Sequence, residues 1–109
     1  MLSPGDVVRA PFIGATGVKR RPTVVISSAL YNSSHLDVLV AELTTQLGRA
    51  TTATDYILRD WQTAGLHRPS AFRLYVNTHR AADVAFIGRL SDRDWQEVQA
   101  RLRLGVAVT

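Results

Sequence analysis

A mainly β chain with one C-terminal helix, folded as a compact, strongly twisted antiparallel barrel, is predicted by three features. Five or six short stretches rich in β-branched and apolar residues recur between turn signals. Only the last stretch, after Ser91, changes to a helical period. No repeat, low-complexity tract or linker interrupts the 109 residues, so one domain spanning 1–109 is expected.

Pro4-Gly5-Asp6 is a turn signal and introduces a short strand over Val7 to Pro11. Gly14, Thr16 and Gly17 mark a loop ahead of the basic run Lys19-Arg20-Arg21-Pro22. Thr23 to Ser28 is apolar and β-branched through Val24, Val25 and Ile26, which suits a strand buried on both faces. Tyr31 to His35 forms a polar connection into the strand Leu36 to Leu43. Alternation there puts Leu36, Val38, Val40 and Glu42 on one face, and Asp37, Leu39, Ala41 and Leu43 on the other. Thr44 to Thr54 is a polar loop, and Tyr56 to Leu58 a short strand. Asp60 to Gly65 has the pattern of one capped helical turn stopped by glycine. Ser70 to Val76 and Ala85 to Arg89 supply two more strands. Ser91 caps the final helix with Asp94 in a capping-box-like position, Trp95, Val98 and Leu102 share its apolar face, and Gly105 is the stop. That face is expected to pack on the barrel as core.

Composition limits the function classes. There is no cysteine, which removes disulfides and thiolate metal sites and suits a reducing interior. Met1 to Asp6 lacks the basic and apolar segments of a signal peptide, and no apolar run approaches the roughly 20 residues of a membrane helix. A cytoplasmic location without membrane attachment is the expectation. Net charge is +4, and twelve of the thirteen basic residues are arginine. From Ser91 onward three acids balance three arginines, so the whole excess precedes it. Arginine binds phosphate in a fork and stacks on bases, which points to a nucleic-acid or acidic-peptide partner, with a plainly solvated arginine surface as the other reading.

Two positions concentrate the chemistry. Pro22 fixes its own φ and biases Arg21 towards an extended conformation at the start of a strand. A guanidinium held there can fork onto a phosphate and offset charge that builds on its non-bridging oxygens. Thr44 ends the strand expected to pair with the one after Arg21, so both residues converge at one end of the sheet. Its hydroxyl can donate to a phosphoryl oxygen or orient an attacking group; the simpler role is a turn residue bonding its own backbone. Gln46 and Arg49 extend the same polar rim, with Lys19 and Arg20 on the other side.

The ordered motifs Pro4-Gly5-Asp6-Val7-Val8, Arg20 to Ser28, Tyr31-Asn32, Leu43-Thr44-Thr45-Gln46 and Gly88-Arg89-Leu90-Ser91 run nearly the whole length of the chain. Together they resemble the MazF/PemK-type toxins, the endoribonuclease half of type II toxin–antitoxin pairs; no single motif does so alone. The resemblance implies an SH3-like barrel of the CcdB/MazF/Kid type, a two-fold homodimer, and a sequence-specific activity needing no metal or cofactor. It implies single-stranded RNA as substrate, cut by the adjacent 2′-hydroxyl to leave a 2′,3′-cyclic phosphate and a 5′-hydroxyl. It maps catalysis onto Arg21 and Thr44, with Arg21 stabilising phosphorane charge or acting with the leaving oxygen. The partner it implies is a MazE-like antitoxin whose acidic, disordered tail occludes the basic groove.

One departure stands out. Some relatives carry an acid in the strand matching Ser70 to Val76, where this chain has Arg73 and Tyr75, with Thr78 beyond. No carboxylate general base is evident. Arg73 and Thr78 are candidate RNA contacts, Ser70 a candidate hydroxyl donor or an ordinary strand-start serine, and Tyr75 a base-stacking residue or a core tyrosine. His67 and His79 are possible proton carriers, although exposed loop histidine is the simpler role for both and for His35. Three scattered histidines make no metal site. Two alternatives share the fold: a CcdB-like toxin that binds DNA gyrase without cutting RNA, and an SH3-like module that binds RNA or protein.

Overall fold

The computed structural model describes residues 1–14 and 17–108; Thr16, which falls in the loop expected before the basic run, lies outside them. Among the described residues six strands form one sheet: β1 (Asp6–Gly14), β2 (Gly17–Val25), β3 (Asp37–Thr44), β4 (Tyr56–Ile57), β5 (Ala71–Arg80) and β6 (Ala85–Arg89). Their spatial order is β4-β5-β3-β2-β1-β6, and every pairing is antiparallel. Helix α1 (Ala29–Ser34) lies between β2 and β3, and α2 (Asp92–Gly105) follows β6. No helix among the described residues is long and apolar enough to cross a membrane.

Three irregularities curl the sheet. β2 pairs with β1 from Val24 down to Gly17 but with β3 only through Thr23, Val24 and Val25. Pro22 has no N–H to give, so the second ladder ends beside it. The β3–β5 register shifts between Ala41 and Glu42, which leaves Leu74 and Tyr75 of β5 without partners. A second shift interrupts β1–β6 between Val7 and Val8. Bulges of this kind bend a strand and increase its twist. As a result, the Phe12 ring near the end of β1 meets His79 of β5 edge-on at 5.9 Å, across two intervening strands.

Both faces of the sheet are buried. The larger cluster holds Val7, Val24, Ala41, Leu43, Phe72 and Val98, with Trp95 and Leu102 of α2 packed against it. The smaller one holds Val8, Val25, Val38 and Val40, covered by Leu2 and Val84. The alternation expected for β3 is therefore observed, and so is burial of Thr23 to Val25 on both sides. Each large side chain taken fully from water contributes about 1.5–3 kcal/mol before entropy is counted, so these two layers dominate stability.

Local differences have local causes. The basic run is not a prelude to β2 but part of it, because Lys19, Arg20 and Arg21 pair with Phe12, Pro11 and Ala10 of β1. The polar connection contains α1, whose N-cap Ser28 accepts from the Tyr31 N–H at 3.1 Å. Asn32 is buried there, bonding the Ser27 hydroxyl and the carbonyls of Leu2 and Ser27. The polar loop after Thr44 includes a 3-10 turn over Leu47–Arg49. Gly65 ends its turn at φ +83°, as its residue type allows, but Asp60 does not cap that turn. Instead Asp60 accepts from the Ser91 hydroxyl at 2.6 Å and from the Arg93 guanidinium at 2.8 Å.

Ser91 caps α2 as predicted, its hydroxyl accepting from the Asp94 N–H at 3.2 Å. Asp94 itself is wholly buried and faces the preceding loop. It accepts from the Tyr56 hydroxyl at 2.6 Å and from the N–H groups of Arg59 and Asp60 at 3.1 and 2.8 Å. Burial, then the bond to Asp94, pushes the Tyr56 hydroxyl far above its ordinary range.

Two carboxyls make the fold sensitive to acid. The Ser91 and Arg93 bonds hold Asp60 below its ordinary value. Burial pushes Asp55 up, but the N–H and hydroxyl of Thr52, both at 2.9 Å, and the Arg73 guanidinium outweigh it and hold it low. A lowered folded value means stability that is complete above the unfolded carboxylate range and lost as pH falls through the folded value. Thermal melts should therefore be level from neutrality down to about pH 5 and drop below about pH 4, where unfolded aspartate takes up protons. Equal melting temperatures at pH 7 and pH 3 would contradict this.

Candidate functional site

The ladder registers bring one polar group together at one end of a sheet face. On β3, Glu42 is opposite Thr23 of β2 and Arg73 of β5, and Thr44 is opposite Ala71 of β5. Continued two residues past Thr23, the β2–β3 register leads to Arg21 opposite Thr44. Directly opposed residues share a face, so Arg21, Thr44, Glu42 and Arg73 project to the side that carries Val8, Val25, Val38 and Val40. The apolar cluster floors one end of that face and the charged group occupies the other.

Thr44 is half-buried, and its hydroxyl oxygen accepts from the Gln46 N–H at 3.1 Å. This is the local turn bond expected of a strand-end threonine. It also fixes the side chain while leaving the hydroxyl proton free to donate. Arg21 is exposed, and none of the ion pairs among the described residues involves it. Lys19 and Arg20 are exposed beside it, Arg20 donating to the carbonyls of Arg9 and Asp83, both at 3.3 Å. Gln46 and Arg49 bracket the exposed 3-10 turn that follows Thr44.

The remaining expected residues divide. Ser70 is buried and spends its proton on the Arg68 carbonyl at 2.9 Å, the bond of an ordinary strand-start serine. Arg73 lies in the group, but Asp55 sits 3.6 Å from its Nε and the Tyr75 hydroxyl 2.8 Å from its Nη2. Tyr75 is not core: it is 54% exposed on the β5 bulge, with the Arg73 guanidinium 4.5 Å over its ring. Thr78 is exposed and opposes Leu39, which puts it on the opposite face from Thr44. His35 stacks on Tyr31 at 4.1 Å, and His67 is exposed. His79 is half-buried against Phe12 rather than exposed in a loop. A cleft of about 240 Å³ is lined by Arg9, Pro22, Thr45, His67, Arg68 and Ile87; Pro22 and Thr45 are the residues that follow Arg21 and Thr44. Among the described residues no cluster of three His, Asp or Glu side chains is placed to hold a metal ion.

Glu42 joins this group without standing out in the sequence. Its alternation with Val38 and Val40 was plain, and two more residues along the same strand reach Thr44, so the period-two pattern held the signal.

The architecture is the mainly antiparallel SH3-like half-barrel with a C-terminal helix found in MazF-type proteins. The chain belongs to the family of PemK-like, MazF-like toxins of type II toxin–antitoxin systems, whose model matches residues 3–106. Among solved structures it is similar to one described as an endoribonuclease in complex with its cognate antitoxin from a mycobacterial species. That likeness has a TM-score of 0.77 at 18% identity and covers 100% of both chains. It is also similar to MazF in two MazE–MazF crystal forms from Deinococcus radiodurans. Their TM-scores are 0.73 and 0.70, both at 17% identity, with 97% of this chain covered in each and 98% and 97% of the other chain. No curated protein sequence matches the chain. At these identities the structural likeness establishes the fold.

Proposed function

We propose that this protein is the endoribonuclease of a type II toxin–antitoxin pair, cutting single-stranded RNA in a sequence-specific way. The observation that supports this most is the β2–β3 register, which runs towards Arg21 opposite Thr44 at the open end of a polar face. In this reading the substrate's 2′-hydroxyl oxygen attacks the adjacent phosphorus and the bond to the 5′-oxygen breaks. The products are a 2′,3′-cyclic phosphate and a 5′-hydroxyl. Arg21 offsets the charge gathering on the non-bridging oxygens, and Thr44 donates its free proton to one of them. Lys19, Arg20, Gln46 and Arg49 hold the flanking backbone. The nucleophile belongs to the RNA, so the step requires no metal.

The same reading makes the protein a two-fold homodimer whose basic rim is occluded by an acidic, disordered segment of a MazE-like antitoxin. The deciding experiment incubates purified protein with single-stranded RNA in EDTA and analyses the ends. Cuts bearing cyclic phosphates are expected. Intact RNA after long incubation would overturn the proposal, and light scattering on the same preparation, if it found only monomer at micromolar concentration, would remove the dimer.

A further inference from the structure

Resting on the ribonuclease reading, we propose that Glu42 is the general base of this site, receiving the proton of the attacking 2′-hydroxyl. Glu42 lies at the centre of the polar group, with Arg73 opposite on β5 and Thr23 opposite on β2. Thr44 follows two residues along β3, which is about 7 Å on the same face. Arg21 lies two residues before Thr23 on β2, on the same face and just past the end of the β2–β3 ladder, and its long side chain can reach back over that end. A phosphodiester gripped between Arg21 and Thr44 therefore presents its neighbouring ribose within reach of this carboxylate.

The chain has nine carboxylates, and few of them compete. Asp6, Asp60 and Glu97 are paired with Arg89, Arg93 and Arg101. Asp94 is wholly buried in its hydrogen-bond network. Asp55 is held by Thr52 and Arg73. Asp37 opposes Arg80 at the far end of β3 on the other face, and Asp83 and Asp92 lie in a turn and in α2. β5 carries no acid along Ala71–Arg80.

The bland alternative for a half-buried glutamate opposite an arginine is a cross-strand ion pair. That pair is not formed: Arg73 turns to Asp55 and Tyr75, and no ion pair among the described residues includes Glu42. Asp55 and the Tyr75 bulge thus keep Arg73 off Glu42 and leave its oxygens to accept a proton. In the balanced step the 2′-oxygen forms a bond to phosphorus as its proton passes to Glu42. The phosphorus–5′-oxygen bond breaks, the leaving oxygen keeps the electron pair, and solvent water protonates it.

Glu42→Gln keeps size and polarity but removes the base. Cleavage should fall by about 10²–10⁴-fold, the usual contribution of a positioned acid or base. Binding of an uncleavable 2′-deoxy substrate should stay within about twofold, whereas a structural role would lower both. The pH profile is the sharper readout. The charged and titratable groups around Glu42 are Arg73 opposite it on β5, Arg21 further along β2, and Tyr75 and Asp55, which contact Arg73. Wild-type cleavage should decline on the acid side, as a reaction that needs a general base does. Glu42→Gln should flatten that limb, and Glu42→Asp should keep it at a reduced rate.

Glu42→Gln cutting at the wild-type rate with the acid limb intact overturns the proposal. Should Glu42→Gln fail to fold by circular dichroism, a wild-type profile with no acid limb, or a Glu42→Asp profile without one, does the same. Wild-type protein that leaves RNA whole is a separate outcome: it removes the ribonuclease reading, and the role of Glu42 goes with it.

Discussion

Arg21→Ala is expected to abolish detectable RNA cleavage while the protein melts where the wild type does. The side chain is exposed and forms none of the observed ion pairs, so its removal takes nothing from the core. Surface changes of that kind usually stay within about 0.5 kcal/mol of stability. The activity loss has a different origin. Removing one preformed donor from a developing oxyanion costs about 10²–10³ in rate, and a guanidinium supplies both charge and a fork of donors. A fall at or beyond that range is expected in single-turnover cleavage of a labelled RNA. Arg21→Lys should recover only a part, because an ammonium keeps the charge and loses the planar fork. Arg21→Ala cutting at the wild-type rate would end the assignment of this residue to the chemistry.

Asp94→Ala is the substitution expected to cost most stability. It strips the acceptor from three donors at once, the Tyr56 hydroxyl and the N–H groups of Arg59 and Asp60. Each buried donor left without a partner costs about 1–3 kcal/mol, and the three together approach the whole stability of a small domain. A loss of about 3–5 kcal/mol is expected, the range seen when one partner of a buried charged contact is removed. In urea the midpoint should fall with the slope nearly unchanged. Asp94→Asn should be milder, since its amide oxygen still accepts. Asp94→Ala unfolding at the wild-type midpoint would show that α2 and the 55–65 loop are held together by packing alone.

What the sequence disclosed followed the reach of each signal. Hydrophobic alternation acts over a few residues and needs no knowledge of partners, so β3, β6 and the apolar face of α2 were legible with nearly correct bounds. The Ser28 cap was equally local but lay among polar residues with no helical apolar stripe, which hid α1. Asp94 fitted a capping-box position from its own neighbourhood; its actual partners begin 38 residues earlier, at Tyr56. Residue type alone left Tyr75 between core and base-stacking, and only the β5 bulge shows that it is exposed. The proposed site shows the same limit. Arg21 and Thr44 were flagged by residue type and motif, while Glu42 acquires meaning only once the register sets it between β2 and β5.

Pro22 has an effect beyond ending a ladder. From Gly17 to Arg21 the second strand is tethered to its hairpin partner alone, whereas Thr23 to Val25 are clamped on both edges. Substitutions in that singly tethered arm should therefore leave the clamped layer beneath it intact, even where, as at Arg21, they cost activity. The segment proposed to meet RNA is thereby mechanically uncoupled from the segment that keeps the molecule folded.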